Sequence, residues 1–103
     1  MITFYIGVRI MKTFIMPHDS MLLNIRNFER VPEKILLKQI VLALSKKSDF
    51  EIFKRIQCPS EDLYNCKFRG NEFIIIDSLD DGVSLRFDNK DTLQEVESIL
   101  DKI

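Results

Sequence analysis

Cysteine and histidine are scarce in this chain, and their scarcity excludes whole classes of chemistry. Two cysteines, Cys58 and Cys66, are too few for a disulfide scaffold. Cys66 falls on the strand face expected to be buried, so it reads as a core thiol. His18 is the only histidine, which leaves too few thiol and imidazole ligands for zinc. No metal and no cofactor is expected. Glycine and proline number three each, and 46% hydrophobic with 30% charged residues is the make-up of an ordinary globule, not of a disordered segment. Neither sign of charge dominates. A net charge of −1 gives no global field toward nucleic acid or an anionic membrane. Long apolar runs are also missing. Met1–Met16 is apolar, but Arg9 and Lys12 interrupt it far short of a membrane span. It lacks the basic lead, unbroken apolar stretch and cleavage site of an export signal. The expectation is a cytoplasmic protein without a membrane partner, with residues 1–103 forming one domain.

What is present is concentrated between Tyr64 and Ile103. Gly70-Asn71 between Tyr64–Arg69 and Glu72–Asp77 has the two-residue spacing of a hairpin turn. It predicts Phe68 opposite Phe73 and Cys66 opposite Ile75. Asp80-Asp81-Gly82 suits a three-residue loop closed by a left-handed glycine, with Ile75 opposite Phe87 and Leu79 opposite Val83. Both turns agree on one apolar face: Tyr64, Cys66, Phe68, Phe73, Ile75, Leu79, Val83, Leu85 and Phe87. A loop of even length would flip the last strand and split that face. Ile74 and Ile76 are left on the other face, among Asn65, Lys67, Ser84 and Arg86.

Elsewhere, Ile2, Phe4, Ile6, Val8 and Ile10 alternate with Thr3, Tyr5, Gly7 and Arg9, a strand pattern. Met11-Lys12-Thr13 also reads as a translation start, in which case residues 1–10 are an upstream extension. Pro17–Ser20 reads as a turn or helix start, and Met21–Phe28 as a short helix. Pro32 suits the first turn of a helix running to about Lys46. Leu36, Leu37, Ile40, Val41, Ala43 and Leu44 form its main stripe, while Ile35 and Leu42 lie opposite with Gln39 and Lys46. A helix apolar on two sides predicts a second cover, from the N-terminal segment or a partner. Ser48–Ile56 reads as a strand, with helix as the alternative; Phe50, Ile52 and Ile56 share one face, Glu51, Phe53 and Arg55 the other. Gln57–Leu63 reads as a loop. Leu93, Val96, Ile99, Leu100 and Ile103 mark a final helix capped by Asn89 or Asp91. The fold class predicted is α+β: an antiparallel β-meander sheet with two helices packed on one face.

Candidate chemistry is thin. His18-Asp19-Ser20 holds the residue types of a hydrolase triad, but consecutive side chains diverge, so turn duty is expected. Asp77 to Asp88 partly imitates a calcium loop; Leu79 stands where an oxygen ligand belongs, and Asp88 where a bidentate Glu belongs. No set of side chains has the spacing catalysis needs, and no enzyme is predicted. Two surfaces are better candidates. Ile74 and Ile76, bordered by Lys67, Arg86 and Asn65, have the make-up of an interface core and rim; a cover from the N-terminal segment is the alternative. Asp91, Glu95, Glu97 and Asp101 on the last helix, with Asp80 and Asp81 nearby, form an acidic face able to mimic phosphates and block a basic partner such as a nuclease.

The segment Asn71–Leu100, a hairpin followed by a capped acidic helix, resembles the end of immunity proteins from bacterial contact-dependent and other polymorphic toxin systems. That resemblance implies a cytoplasmic single-domain inhibitor that binds one toxin or effector and has no activity of its own. It carries over no defined toxin contact. The partner-binding residues expected are Asp80, Asp81, Glu95, Glu97 and Asp101 for a basic partner, and Ile74, Ile76, Lys67 and Arg86 for an apolar one. Two alternatives stay open. One is a nucleic-acid accessory protein using Arg55, Lys67, Arg69 and Arg86 beside Phe53. The other is a homodimer through Ile74 and Ile76 or an edge strand.

Overall fold

Alternation along the strands decides which side chains meet the helices in the computed structural model, which describes residues 11–27, 30–47, 49–79 and 82–102. The elements are β1 (Met11–Ile15), β2 (Leu22–Asn27), α1 (Glu33–Ser45), β3 (Phe50–Gln57), β4 (Glu61–Phe68), β5 (Asn71–Ser78), β6 (Gly82–Phe87) and α2 (Lys90–Leu100). They build a six-stranded antiparallel sheet in the order β1-β2-β6-β5-β4-β3. The chain leaves β2, crosses the sheet through α1 to the far edge, and returns by the meander β3 to β6. Both helices lie on one face. Leu36, Ile40 and Leu44 of α1 and Leu93, Val96 and Leu100 of α2 close over Met11, Leu23, Cys66, Phe68, Phe73, Ile75, Val83, Leu85 and Phe87. Phe73 and Phe87 stack with ring centres 4.9 Å apart. The fold class is the α+β arrangement that the sequence predicts.

Each turn of the meander sits one residue earlier than its sequence pattern implied. The first is Arg69-Gly70, at φ 51 and 83, so Phe68 pairs with Asn71, Cys66 with Phe73 and Tyr64 with Ile75. A left-handed arginine is unfavourable. Here its guanidinium ties to Glu95 of α2 and lies 5.3 Å from the centre of the Phe68 ring. In the second connection Ser78 pairs with Gly82, which places Phe73 opposite Phe87 and Ile75 opposite Leu85. Both registers move by two, and a shift of two keeps every face. The one casualty is Leu79, which is 74% exposed instead of lying on the core face. The core-side position it would have taken belongs to Asp77, opposite Val83 on β6 and Asp62 on β4.

Further elements differ from expectation. Met21–Phe28 does not give a helix. Residues 22–27 form β2, because hydrogen bonds to β1 and β6 on both sides outweigh local preference. There Leu23 is fully buried and Ile25 packs on the core, the alternation of a strand. The Gln57–Leu63 loop shrinks to residues 58–60, closed by the Cys58 N–H donating to the Glu61 carbonyl at 2.8 Å. Pro32 precedes the first turn of α1 as its N-cap. Ile35 and Leu42, expected to be covered, are 47% and 55% exposed. The alternating stretch Ile2–Ile10, together with Asp80, Asp81 and Ile103, lies outside the described residues. Asn89 caps α2 as predicted, its side-chain oxygen accepting from the N–H groups of Asp91 and Thr92.

A β-bulge at Phe53 sets the far edge. Ile52 pairs with Cys66 and Lys54 with Asn65, so the extra residue reverses the alternation. Arg55, expected on the outer face, stands beside Tyr64 on the helix side and donates to Asp62 at 3.1 Å. Ile56, expected on the core side, emerges on the outer one opposite Leu63.

Two measurements test this account. Gly82 has φ 78, and a methyl group there would meet nothing closer than Glu33 Oε2 at 3.8 Å. Gly82→Ala should therefore cost only the backbone strain, about 1–2 kcal/mol, read by urea unfolding with an unchanged m-value. For Asp77, burial raises the carboxyl pKa and the neighbouring Asp62 raises it further. A carboxyl with a raised folded pKa contributes stability that is fully present below its unfolded value and lost as pH rises through the folded one. Asp77→Asn should accordingly raise the melting temperature at pH 7. The gain should fade as pH falls into the ordinary carboxylate range.

Candidate functional site

Among the described residues, the outer face of the sheet carries no helix. Its make-up follows from the pairing of the six strands. One row of cross-strand neighbours runs Ile56, Leu63, Ile76, Ser84, Asn24 and Phe14. The adjacent row runs Lys54, Asn65, Ile74, Arg86 and Leu22. Leu63, Ile74 and Ile76 are therefore immediate neighbours at the centre, and Ile56 and Phe53 extend the apolar strip to the β3 edge. Leu63, Ile74 and Ile76 are half-buried by the side chains around them, while Ile56 and Phe53 are exposed. Against Ile74 lies a shallow hollow of about 160 Å³, bounded by Asn65, Glu72, Arg86 and Asp88.

The rim is charged and partly organised. Lys67 lies with its ammonium 5.8 Å from the centre of the Phe53 ring, and Arg26 stands 5.7 Å from that of Phe14. Both are distances at which a cation is attracted to a ring face. Arg86 donates to Asp19 at 2.8 Å, and that hydrogen bond holds the Asp19 carboxyl below the usual carboxylate range. Asp19 also accepts from the Met21 N–H at 3.3 Å, the turn duty expected of His18-Asp19-Ser20. The arrangement offers apolar contact at its centre and charged hydrogen bonding at its margin.

The other expected residues separate. Of the basic set proposed for nucleic acid, only Lys67 and Arg86 reach the outer face. Arg55 has crossed to the helix side at the bulge, and Arg69 sits in the hairpin turn tied to Glu95. On α2, Asp91 is exposed and Glu97 half-buried, but Glu95 holds Arg69. Asp101 accepts the Thr13 hydroxyl at 2.6 Å, linking α2 to the edge strand β1. The acidic helix face is thus partly committed to holding the fold together. Cys66 is fully buried, with its thiol pKa pushed up to about 12 by burial, so it stays a protonated core side chain. Cys58 is exposed and free.

Leu63 and Ile56 are the site residues that sequence reasoning missed. Leu63 stands two before Asn65 and four before Lys67, so the outward alternation reached it; Cys58-Pro59-Ser60 made the segment look like loop. Ile56 gave no such signal, because nothing in the letters marks an extra residue at Phe53. Among the described residues, no helix is long and apolar enough to cross a membrane, and no group of His, Cys, Asp or Glu has the grouping of a metal site. No protein-family model, no curated protein and no solved structure matches the chain.

Proposed function

We propose that this chain is a small protein-binding inhibitor that docks on its partner through the helix-free face of the sheet. It would act as the immunity proteins of bacterial toxin systems do, neutralising a cognate toxin by covering its active or binding surface. The observation that carries this reading is the cluster Leu63, Ile74 and Ile76 at the centre of a face that carries no helix among the described residues, with Lys67 and Arg86 at its margin. Burying an Ile or Leu side chain contributes about 1.5–3 kcal/mol when it is taken fully out of water. The half-buried trio therefore contributes less per residue, but enough to anchor an interface whose charged rim selects the partner. The free thiols Cys58 and Cys66 fit a reducing, cytoplasmic setting. No catalysis by the chain is invoked.

Nucleic acid is the weaker reading, because the four basic side chains it relies on are divided between two faces. The acidic helix remains a second contact surface for a basic partner, through Asp91 and Glu97 and through Asp80 and Asp81.

Capture of the tagged protein from its native cell, with mass spectrometry of what co-purifies, identifies the partner. Calorimetry with that partner then tests the face. Ile74→Asp with Ile76→Asp should weaken binding by at least about a hundredfold, or about 2.7 kcal/mol. Asp91→Lys with Glu97→Lys should weaken it by a similar factor only where the partner is basic. Unchanged affinity in all four substitutions together would end the proposal.

A further inference from the structure

The opposite side of the molecule carries a cleft that the docking face does not use. It lies between the C-terminal parts of α1 and α2 and encloses about 380 Å³. That volume is within the range of small-molecule sites, roughly 300–1,000 Å³. Leu42, Ala43 and Ile99 form its apolar floor, and Lys46, Lys47 and Lys102 its mouth. Among the described residues no carboxylate lines it. Among the described residues none of the three ammonium groups is in an ion pair or a hydrogen bond to another side chain or a carbonyl. An anion entering the cleft would therefore meet three cations without a protein partner.

A second observation comes from Gln39, which also lines the cleft. Its Oε1 is buried and has no hydrogen-bond partner. Buried polar atoms are nearly always satisfied, so this orphan is unusual, although Gln39 as a whole is only half-buried. Leu42, 55% exposed, is among the residues that line this cleft.

We propose that this cleft binds a small amphipathic anion, a carboxylate or phosphate carried on an apolar body. The apolar body would lie on Leu42, Ala43 and Ile99. The anionic group would sit among Lys46, Lys47 and Lys102. The site is on the helix side, so it is independent of partner docking on the sheet and goes beyond it.

The test is a titration of the full chain, isotope-labelled for NMR, with decanoate below its micelle-forming concentration. Decanol, inorganic phosphate and an acidic amphipathic peptide serve as comparison ligands. Decanoate should shift the signals of Leu42, Ala43 and Ile99 saturably, with a Kd below about 1 mM. Lys46→Glu with Lys102→Glu should weaken it by about tenfold or more, or about 1.4 kcal/mol. Both lysines are at the surface, and the variant's own spectrum reports whether it is folded. Equal binding of decanol, or shifts spread over the outer sheet face, would overturn the assignment. So would the absence of saturable shifts, or a response to phosphate alone. Preferential binding of the peptide would make the cleft a protein groove and likewise remove the small-ligand assignment.

Discussion

A side chain on a strand has two directions available, and this structure depends on keeping one of them for the helices. Among the described residues fifteen form the buried apolar cluster, and the strand members reach it only if every turn preserves the alternation. A pairing error of one residue at a hairpin would flip one strand against its neighbour, turning Cys66 and Phe68 of β4, or Val83, Leu85 and Phe87 of β6, toward water. An error of two does no such damage. Side-chain direction is fixed by burial, whereas the exact residues in a turn are fixed by smaller local terms. In the first hairpin those terms favour left-handed backbone at Arg69 and Gly70, with the arginine held by Glu95 and lying over Phe68.

The same distinction explains what was legible in the sequence. Phe68, Phe73, Ile75, Val83, Leu85 and Phe87 were assigned to the core from alternation and turn length alone, and all are buried. Ile74 and Ile76 were assigned outward by the same logic and do face outward. Leu79 failed because it belongs to a turn and not to a strand, a difference of one residue that pattern cannot resolve. The segment 22–27 failed because a short run with apolar residues fits either period, and its place between β1 and β6 decides the matter. The bulge at Phe53 is the least legible feature. It arises from how β3 lies along β4, yet it moves Arg55 to one face and Ile56 to the other.

That bulge also bears on how an uncovered sheet avoids pairing with itself. β3 is an edge strand, and every residue of it after Phe50 is exposed. A flat edge containing Ile52, Phe53 and Ile56 would invite another strand. The bulge twists it, and Lys54 and Arg55 place two cations beside the irregularity, so a second copy would bring four together. At the other edge, β1 is drawn toward α2 by the hydrogen bond from Thr13 to Asp101. The acidic residues of α2 are thereby divided in role. Glu95 and Asp101 fasten the helix to the hairpin and to the edge strand, and Asp91 and Glu97 are left to solvent or a partner.

Under the docking proposal, a face without a helix among the described residues and protected at its edges is a surface kept for a partner and not for assembly into longer sheets. The helices could have been placed on both sides of six strands, but both lie on one, where a single cluster joins them to the sheet. Covering the other side would need a third apolar element packed on Leu63, Ile74 and Ile76. In an immunity-type inhibitor the toxin itself is that element, and the exposed cluster is then the part of the core that forms only in the complex. Such a design sets a limit on its own composition. The face must be apolar enough to anchor a partner and charged enough at Lys67 and Arg86 to keep the free protein from self-association. The half-buried state of Ile74 and Ile76 among polar neighbours is a compromise between those two demands.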